Sequence, residues 1–514
     1  MKRFSFFLTS LLLTAAASVA GAKGVKSAGE LQFDKSKGVA TSLTMPDGKV
    51  VRYTAYERLY YVTQVEDSTY QYMNIYVPEG ATEQSPIFLR TYVGGYMAAE
   101  ARQPQAGDAT GRALQEGYVV AIPGARGRNS FITATKAYAK ALGGVKVGDK
   151  VYTGRAPKGL LDLKAAVRYL RHFDREIPGN TERIVTDGTS AGGAMSALLG
   201  ATGNSAEHAA LLRAMGAANE RDDIFCAVCF CPITDLEHAD MAYEWLYGET
   251  DSRRADADSK RVLTKELAAQ FPAYQASLGL KTPDGTLLIA GNYLDYIKTL
   301  IIQSAQEAKD AGADIPDSIG FTFSSEAGGQ APINGGVEMH GGGDRPQGMR
   351  GGMMRRGGNR VGEYITDVDI AKYLNYVVST QPLKSVPAFD SYNVDGASAS
   401  GENGEFGNEQ GSDVNFTDWA AAKAGTTISE DVRYNAYLLN PMAFIGTNKA
   451  AVAPHWYIRH GARDRDTAFP IPVNLALKLQ NNGKDVNFKL PWNRPHSGDY
   501  ALQELFTWLN GVVK

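Results

Sequence analysis

Gly188-Thr189-Ser190-Ala191-Gly192 is a G-x-S-x-G pentapeptide centred on Ser190. A strand-like run, Arg183-Ile184-Val185-Thr186, precedes it, and a small-residue, helix-compatible run from Ala194 to Leu199 follows. Strand, sharp turn and helix in that order hold a serine hydroxyl out above a sheet. Side chains at the flanking glycine positions would clash in such a turn. A serine held this way is a nucleophile for acyl transfer, and the N–H of Ala191 at the helix start points at the oxygen that becomes negative. The competing reading is a glycine-rich turn with a bystander serine.

A nucleophilic serine needs a base, and the base needs a carboxylate to orient it. The chain order for an elbow of this kind is Ser, then Asp or Glu, then His. His496, in Pro495-His496-Ser497-Gly498, follows the last strand-like run and precedes the last helical one, where a loop at the carboxyl end of a strand faces the elbow. His172, His208, His340, His455 and His460 sit in less suitable places, and His238 is given no proton-transfer role. His460-Gly461-Ala462-Arg463-Asp464-Arg465-Asp466 offers two carboxylates just past the penultimate strand. Asp464 is chosen to hold His496, and Asp466 is left free to face a substrate. The alternative is that both pair with Arg463 and Arg465 in a surface loop. A second oxyanion donor is expected from Gly94 or Gly95, in Val93-Gly94-Gly95-Tyr96 after an early strand. One such donor is typically worth about 3 kcal/mol in the transition state.

The elements that must position these groups are also legible. Residues 30–80 are rich in Tyr, Val and Thr around a Pro46-Asp47-Gly48 turn and predict antiparallel strands. From Pro86 onward strands alternate with helices: strands at 87–92, 117–123 and 224–232, and an amphipathic helix at 159–173 with Leu160, Leu163, Ala166, Val167 and Leu170 on one face. This order predicts an α/β fold with a mostly parallel sheet covered on both faces. The alternation stops between Ala239 and Tyr434 and resumes with a strand at 455–460, a helix at 469–481, a strand at 486–490 and a closing helix at 500–513. The expected organisation is a sheet domain in two parts, 23–238 and 435–514, interrupted by a helical insertion at 239–434 that would form a lid. Within the insertion, residues 328–362 are dominated by Gly, Met and Arg, a composition that builds no packed core and is expected to form a disordered loop.

The 514 residues carry a net charge of −3, with 44% hydrophobic and 21% charged residues. That balance fits a soluble globular protein and gives no electrostatic case for nucleic acid or an anionic membrane. Residues 1–22 read as a secretory signal. Lys2 and Arg3 precede a short apolar run, with small-residue cleavage sites at Ser18-Val19-Ala20 and Ala20-Gly21-Ala22. Export to the periplasm or the medium is therefore expected. Cys226, Cys229 and Cys231 lie in one short run and are read as small buried hydrophobes, Cys229 and Cys231 on the same face of a strand. Cys226 and Cys229 have C-x-x-C spacing, but no second Cys or His pair stands nearby, so neither metal nor cofactor is predicted.

Taken together, the chain resembles the bacterial tannases, a tannin acyl hydrolase group within the α/β-hydrolases. The resemblance is carried by Gly188 to Gly193 with the following A-M-S-A-L-L-G-A-T-G, by Cys231 to Trp245, by Pro387-Ala388-Phe389-Asp390, by Ile458 to Thr467, and by Pro491-Trp492 with Pro495 to Tyr500. It implies hydrolysis of galloyl esters through an acyl-enzyme on Ser190, a small aromatic ester as partner, and a lid that recognises the galloyl ring. It also implies that Lys384, Glu402 and Asp466 contact the phenolic hydroxyls, with Glu405 as the fallback for Glu402. Carboxylates accept strongly from vicinal phenols, and a pocket built to bond them rejects rings that lack them. No cysteine stands beside Ser190 or His496 in sequence, unlike the fungal tannases and feruloyl esterases. Three other readings stay open: a feruloyl or acetyl carbohydrate esterase of the same fold, a prolyl-oligopeptidase-type peptidase, and a non-catalytic ligand-binding protein. The second would need an N-terminal propeller that the early strands are too few to build.

Overall fold

A computed structural model describes residues 30–142, 144–325 and 363–513. The predicted signal segment and the Gly/Met/Arg-rich stretch at 328–362 lie outside the described residues. The strands, in chain order, are β1 (Val39–Thr44), β2 (Val50–Tyr60), β3 (Tyr72–Pro78), β4 (Pro86–Arg90), β5 (Val119–Pro123), β6 (Phe131–Thr133), β7 (Lys150–Tyr152), β8 (Asn180–Thr189), β9 (Cys226–Phe230), β10 (Phe321–Ser324), β11 (Tyr364–Val368), β12 (His455–Arg459) and β13 (Asp485–Lys489). Nine of them form one sheet in the order β1-β2-β3-β5-β4-β8-β9-β12-β13. The first three and their junction with β5 are antiparallel, and every pairing from β5 to β13 is parallel.

Burial on both faces explains the near-continuous apolar runs of the central strands. In β5 and β9 every residue is buried. Alternate side chains feed two cores: Ile87, Leu89, Val119, Ala121, Ala227 and Cys229 on one face, Phe88, Val120, Ile122, Cys226, Val228 and Phe230 on the other. Helices Lys158–His172 and Ala191–Ala201 cover the first face, and Ala109–Gln115 and Leu502–Val513 the second. The helix after the elbow is built of small residues because it lies close on the sheet. A Cβ on Gly200 would stand 2.6 Å from the buried Trp456 ring, and Ser196 Oγ meets Thr186 Oγ1 at 2.7 Å.

β9 and β12 are parallel neighbours, Cys226 opposite His455, so the chain leaves the sheet after β9 and returns beside it. That excursion is mostly helical, as its sequence suggests. It also contains the antiparallel pair β10–β11, which the sequence reading missed; each strand is too short for its alternation to stand out. The β6–β7 hairpin was missed for the same reason. Among the described residues no helix is long and apolar enough to cross a membrane.

Candidate active site

Ser190 sits at the end of β8 with φ 62° and ψ −124°, a conformation that costs a non-glycine residue energy and persists only where its surroundings impose it. Its N–H donates to Phe230 O at 2.9 Å, and its own carbonyl accepts from Ala194 N–H at 2.9 Å. The turn closes so tightly that a Cβ on Gly188 would stand 2.2 Å from Gly192 O. Helix Ala191–Ala201 begins immediately after the serine, so its N-terminal N–H groups lie beside the hydroxyl.

His496 reaches this hydroxyl from the loop after β13, with Nε2 2.8 Å from Ser190 Oγ and Nδ1 2.8 Å from Asp464 Oδ2. Asp464 is fully buried just past β12 and accepts from Asp466 N–H at 2.8 Å. Burial opposes the imidazolium, but the hydrogen bond and charge of the Asp464 carboxylate, together with the Cys231 contact, outweigh it and raise His496 above its ordinary value. Burial also works on Asp464, yet the two neighbouring imidazoles and the Asp466 N–H hold it below the usual carboxylate range. The three side chains picked out from sequence thus meet as a hydroxyl, an imidazole and a carboxylate in line. Such a set can move a proton off the serine and stabilise the resulting charge.

The loop bearing His496 is placed by charges that the sequence reading did not single out. Arg90 at the end of β4 pairs with buried Asp187 of β8, and its Nη2 donates to Asp499 Oδ2 at 2.7 Å, three residues beyond His496. A Cβ on Gly498 would stand 1.9 Å from Thr189 Oγ1, so the base loop lies directly on the elbow. The Val93-Gly94-Gly95-Tyr96 loop lies on the elbow too: Val93 O would be 2.7 Å from a Cβ on Gly192. Gly95 has φ 55°, and Tyr96 Oη donates to Ile233 O at 2.6 Å.

One cysteine expectation is corrected. Cys229 and Cys231 do not share a face: Cys229 joins one core and Cys231 the other. β9 ends at Phe230, and Cys231 takes φ 38°, which breaks the strand alternation. A cysteine also does stand beside the base in space. Cys231 Sγ lies 4.0 Å from His496 Nε2 and donates to Ser497 O at 3.3 Å. Burial pushes its thiol up, so it is a neutral contact. Cys231, Asp464 and His496 offer ligand atoms within 4.8 Å of one another, but both ring nitrogens are already engaged by Asp464 and Ser190.

Of the residues tied to ring recognition, Asp466 lies on the relay itself, its Oδ2 3.7 Å from His496 Nδ1 and its Oδ1 2.6 Å from Arg465 Nη1. Lys384 donates its backbone N–H to Tyr243 Oη at 3.1 Å and holds Nζ 4.2 Å over the Phe389 ring. Glu402 is half-buried on the short helix Gly401–Glu405. Burial raises its carboxyl, and the Lys384 ammonium and Arg128 guanidinium pull it back. Glu405 is buried beside it, its Oε2 without a hydrogen-bond partner.

One carboxylate explains why two of the recognisable segments belong together. Asp240, on helix Leu236–Tyr247, accepts from the backbone N–H groups of Ala388 (2.6 Å), Phe389 (2.9 Å) and Asp390 (2.8 Å). Asp390 in turn accepts from Asn403 Nδ2 at 2.7 Å and Thr417 N–H at 2.7 Å. The segment after Lys384 and the helix carrying Glu402 are therefore held by a relay of buried carboxylates. His238, by contrast, is engaged elsewhere, bonding Asp235 at 2.6 Å and stacking on Tyr274.

A family model described as BD-FAE matches residues 150–278. A search of curated proteins finds no match. Among solved structures, the native tannin acyl hydrolase from Lactobacillus plantarum is similar at 34% identity and a TM-score of 0.77, covering 94% of this chain and 98% of that one. The tannase of Fusobacterium nucleatum is similar at 33% identity and a TM-score of 0.77, covering 94% and 100%. A tannin acyl hydrolase solved in complex with ethyl gallate is similar at 35% identity and a TM-score of 0.77, covering 94% and 98%. Likeness at this identity over nearly the whole of both chains makes this protein a member of the tannin acyl hydrolase, or tannase, family, a carboxylic ester hydrolase with the α/β-hydrolase fold.

Proposed function

We propose that this chain hydrolyses galloyl esters through an acyl-enzyme on Ser190 and releases gallic acid. The observation that carries the reading is the relay Ser190–His496–Asp464 with the Asp466 carboxylate 3.7 Å from the same imidazole. A phenol acceptor then stands beside the acyl-transfer centre in a chain of the tannase family. Related tannin acyl hydrolases solved with ethyl gallate and with 3,4-dihydroxybenzoate support the substrate class.

In this mechanism Ser190 Oγ attacks the ester carbonyl as His496 Nε2 takes its proton. The oxyanion is met by the N–H of Ala191 and of Gly94 or Gly95. Collapse returns the proton from His496 to the leaving alcohol. Water, deprotonated by the same imidazole, then frees the acid from Ser190. Asp464 holds the ring and stabilises its charged form. Lys384, Glu402 and Asp466 bond the phenolic hydroxyls, and the lid at 239–434 closes over the ring. Residues 1–22 direct the chain out of the cytoplasm, to the periplasm or the medium.

The test compares methyl gallate, protocatechuate, ferulate, 4-hydroxybenzoate and p-nitrophenyl acetate turnover by wild type, Ser190→Ala and Asp466→Ala. The expected outcome is cleavage of the gallate, poor cleavage of the monohydroxybenzoate, no activity in Ser190→Ala, and a larger loss on gallate than on acetate esters in Asp466→Ala. Equal rates on the gallate and ferulate esters would replace this reading with a broader esterase. Failure of Ser190 to label with a fluorophosphonate would replace it with a binding protein.

A further inference from the structure

The glycine loop that meets the elbow and the helix carrying Glu402 come from distant parts of the chain, and one side chain touches both. Arg128 Nε donates to Gly95 O at 2.7 Å, and the Arg128 backbone N–H donates to Tyr96 O at 2.9 Å. At the other end, a Cβ on Gly401 would stand 2.8 Å from Arg128 Cζ and 2.9 Å from Nε, so the absent side chain leaves the space the guanidinium fills. Glu402 and Glu405 both feel this cation, and Glu405 is buried with an oxygen unpartnered.

Two successive glycines do not hold one geometry unaided, because glycine has the most backbone freedom to lose. A donor aimed at a transition-state charge is useful only if its position is set beforehand. Met97 N–H holds Gly94 O at 3.0 Å, the Arg128 side chain holds the Gly95–Tyr96 peptide just past the expected donors, and the Arg128 backbone holds the next one. We propose that Arg128 is a positioning residue that locks the Gly94–Gly95 loop to the helix bearing Glu402, so that oxyanion binding depends on that helix being seated. The proposal rests on the oxyanion and ring roles given above.

The experiment is steady-state kinetics of Arg128→Ala, Arg128→Lys and Gly401→Ala on methyl gallate and p-nitrophenyl acetate, with millimolar guanidinium ion added to each. Arg128→Ala is expected to lose at least tenfold in kcat on both esters and to raise KM on the gallate alone. Guanidinium ion should recover part of the lost kcat in Arg128→Ala. Arg128→Lys should remain impaired, since an ammonium cannot span both contacts. Gly401→Ala should lose kcat on both esters with the arginine still present, which decides the matter if Arg128→Ala does not fold. An acetate kcat within twofold of wild type in the variants, or an effect on gallate KM alone, would overturn the coupling. A wild type active on acetate but not on gallate would refute the galloyl reading and leave the acetate comparison standing. A wild type inert on both would remove the oxyanion role and this proposal with it.

Discussion

Asp240→Ala tests whether the ring-recognition segment is held from below by one carboxylate. Asp240 is 4% exposed and takes three backbone N–H donors, from Ala388, Phe389 and Asp390. A hydrogen bond to a charged acceptor contributes roughly 1.5–3 kcal/mol. Three sum to about 5–9 kcal/mol, but Ala388 is half-exposed and its N–H regains water. Burial, outweighing the three donors, also pushes Asp240 up to about 7, so near neutrality its charge is only partly developed. The low end applies, and about 3 kcal/mol is the expected loss. If it is spent on local opening, the closed fraction falls about a hundredfold at most. KM for methyl gallate should rise accordingly, p-nitrophenyl acetate kcat should fall to the extent that the opening unseats the Glu402 helix through Asp390 and Asn403, and urea unfolding should show whatever part is global. Asp240→Asn keeps one carbonyl for Ala388 and Phe389 but turns an NH2 toward the Asp390 N–H, costing about 1–3 kcal/mol. The pH dependence has a definite sign. The folded value lies above the unfolded one, so the stability it contributes is full at low pH and is lost as pH rises through about 7. The gap between wild type and Asp240→Asn should therefore be widest near the ordinary carboxylate range and narrow toward pH 8. An Asp240→Ala protein with unchanged gallate KM and unchanged unfolding midpoint would refute the anchoring argument.

The remaining predictions concern the relay and its supports. Asp464→Asn should lose roughly 10³–10⁴-fold in kcat. Its acid limb of kcat/KM should move to lower pH, because the carboxylate helps raise His496 and the base must be neutral to act; an unmoved limb contradicts that cause. Gly188→Ala forces a Cβ to within 2.2 Å of Gly192 O, backbone against backbone, so fluorophosphonate labelling of Ser190 should be lost and stability should fall by about 1–3 kcal/mol. Cys226, Cys229 and Cys231 are fully buried and unpaired, so a thiol reagent should find none in the native protein and three after urea unfolding. Labelling of Cys231 under native conditions, with loss of activity, would show instead that the base loop opens readily.

The elements around Ser190 were legible because short-range rules govern them. A tight strand-to-helix turn admits only glycine at its flanks, and buried parallel strands read as apolar runs. His496 and Asp464 followed from chain order and from their loops at the carboxyl ends of β13 and β12. Asp240 looked like one more acidic residue on a helix, and Asp390 like the end of a conspicuous tetrapeptide. Nothing local announces that they serve one relay, since their contacts span about 150 residues of chain. Cys231 was misplaced because strand alternation was carried one residue past the point where β9 ends.

From the sequence alone came the nucleophile with its turn, the parallel sheet, and the order in which base and acid follow. Hydrophobic period and backbone sterics act within a few residues and are written locally. Tertiary structure alone decided which charged groups meet which partners: Arg90 with Asp187 and Asp499, Asp240 with the 388–390 backbone, Arg128 with both the glycine loop and the Glu402 helix. A buried charge needs a partner at hydrogen-bond distance, and the fold can draw that partner from any part of the chain.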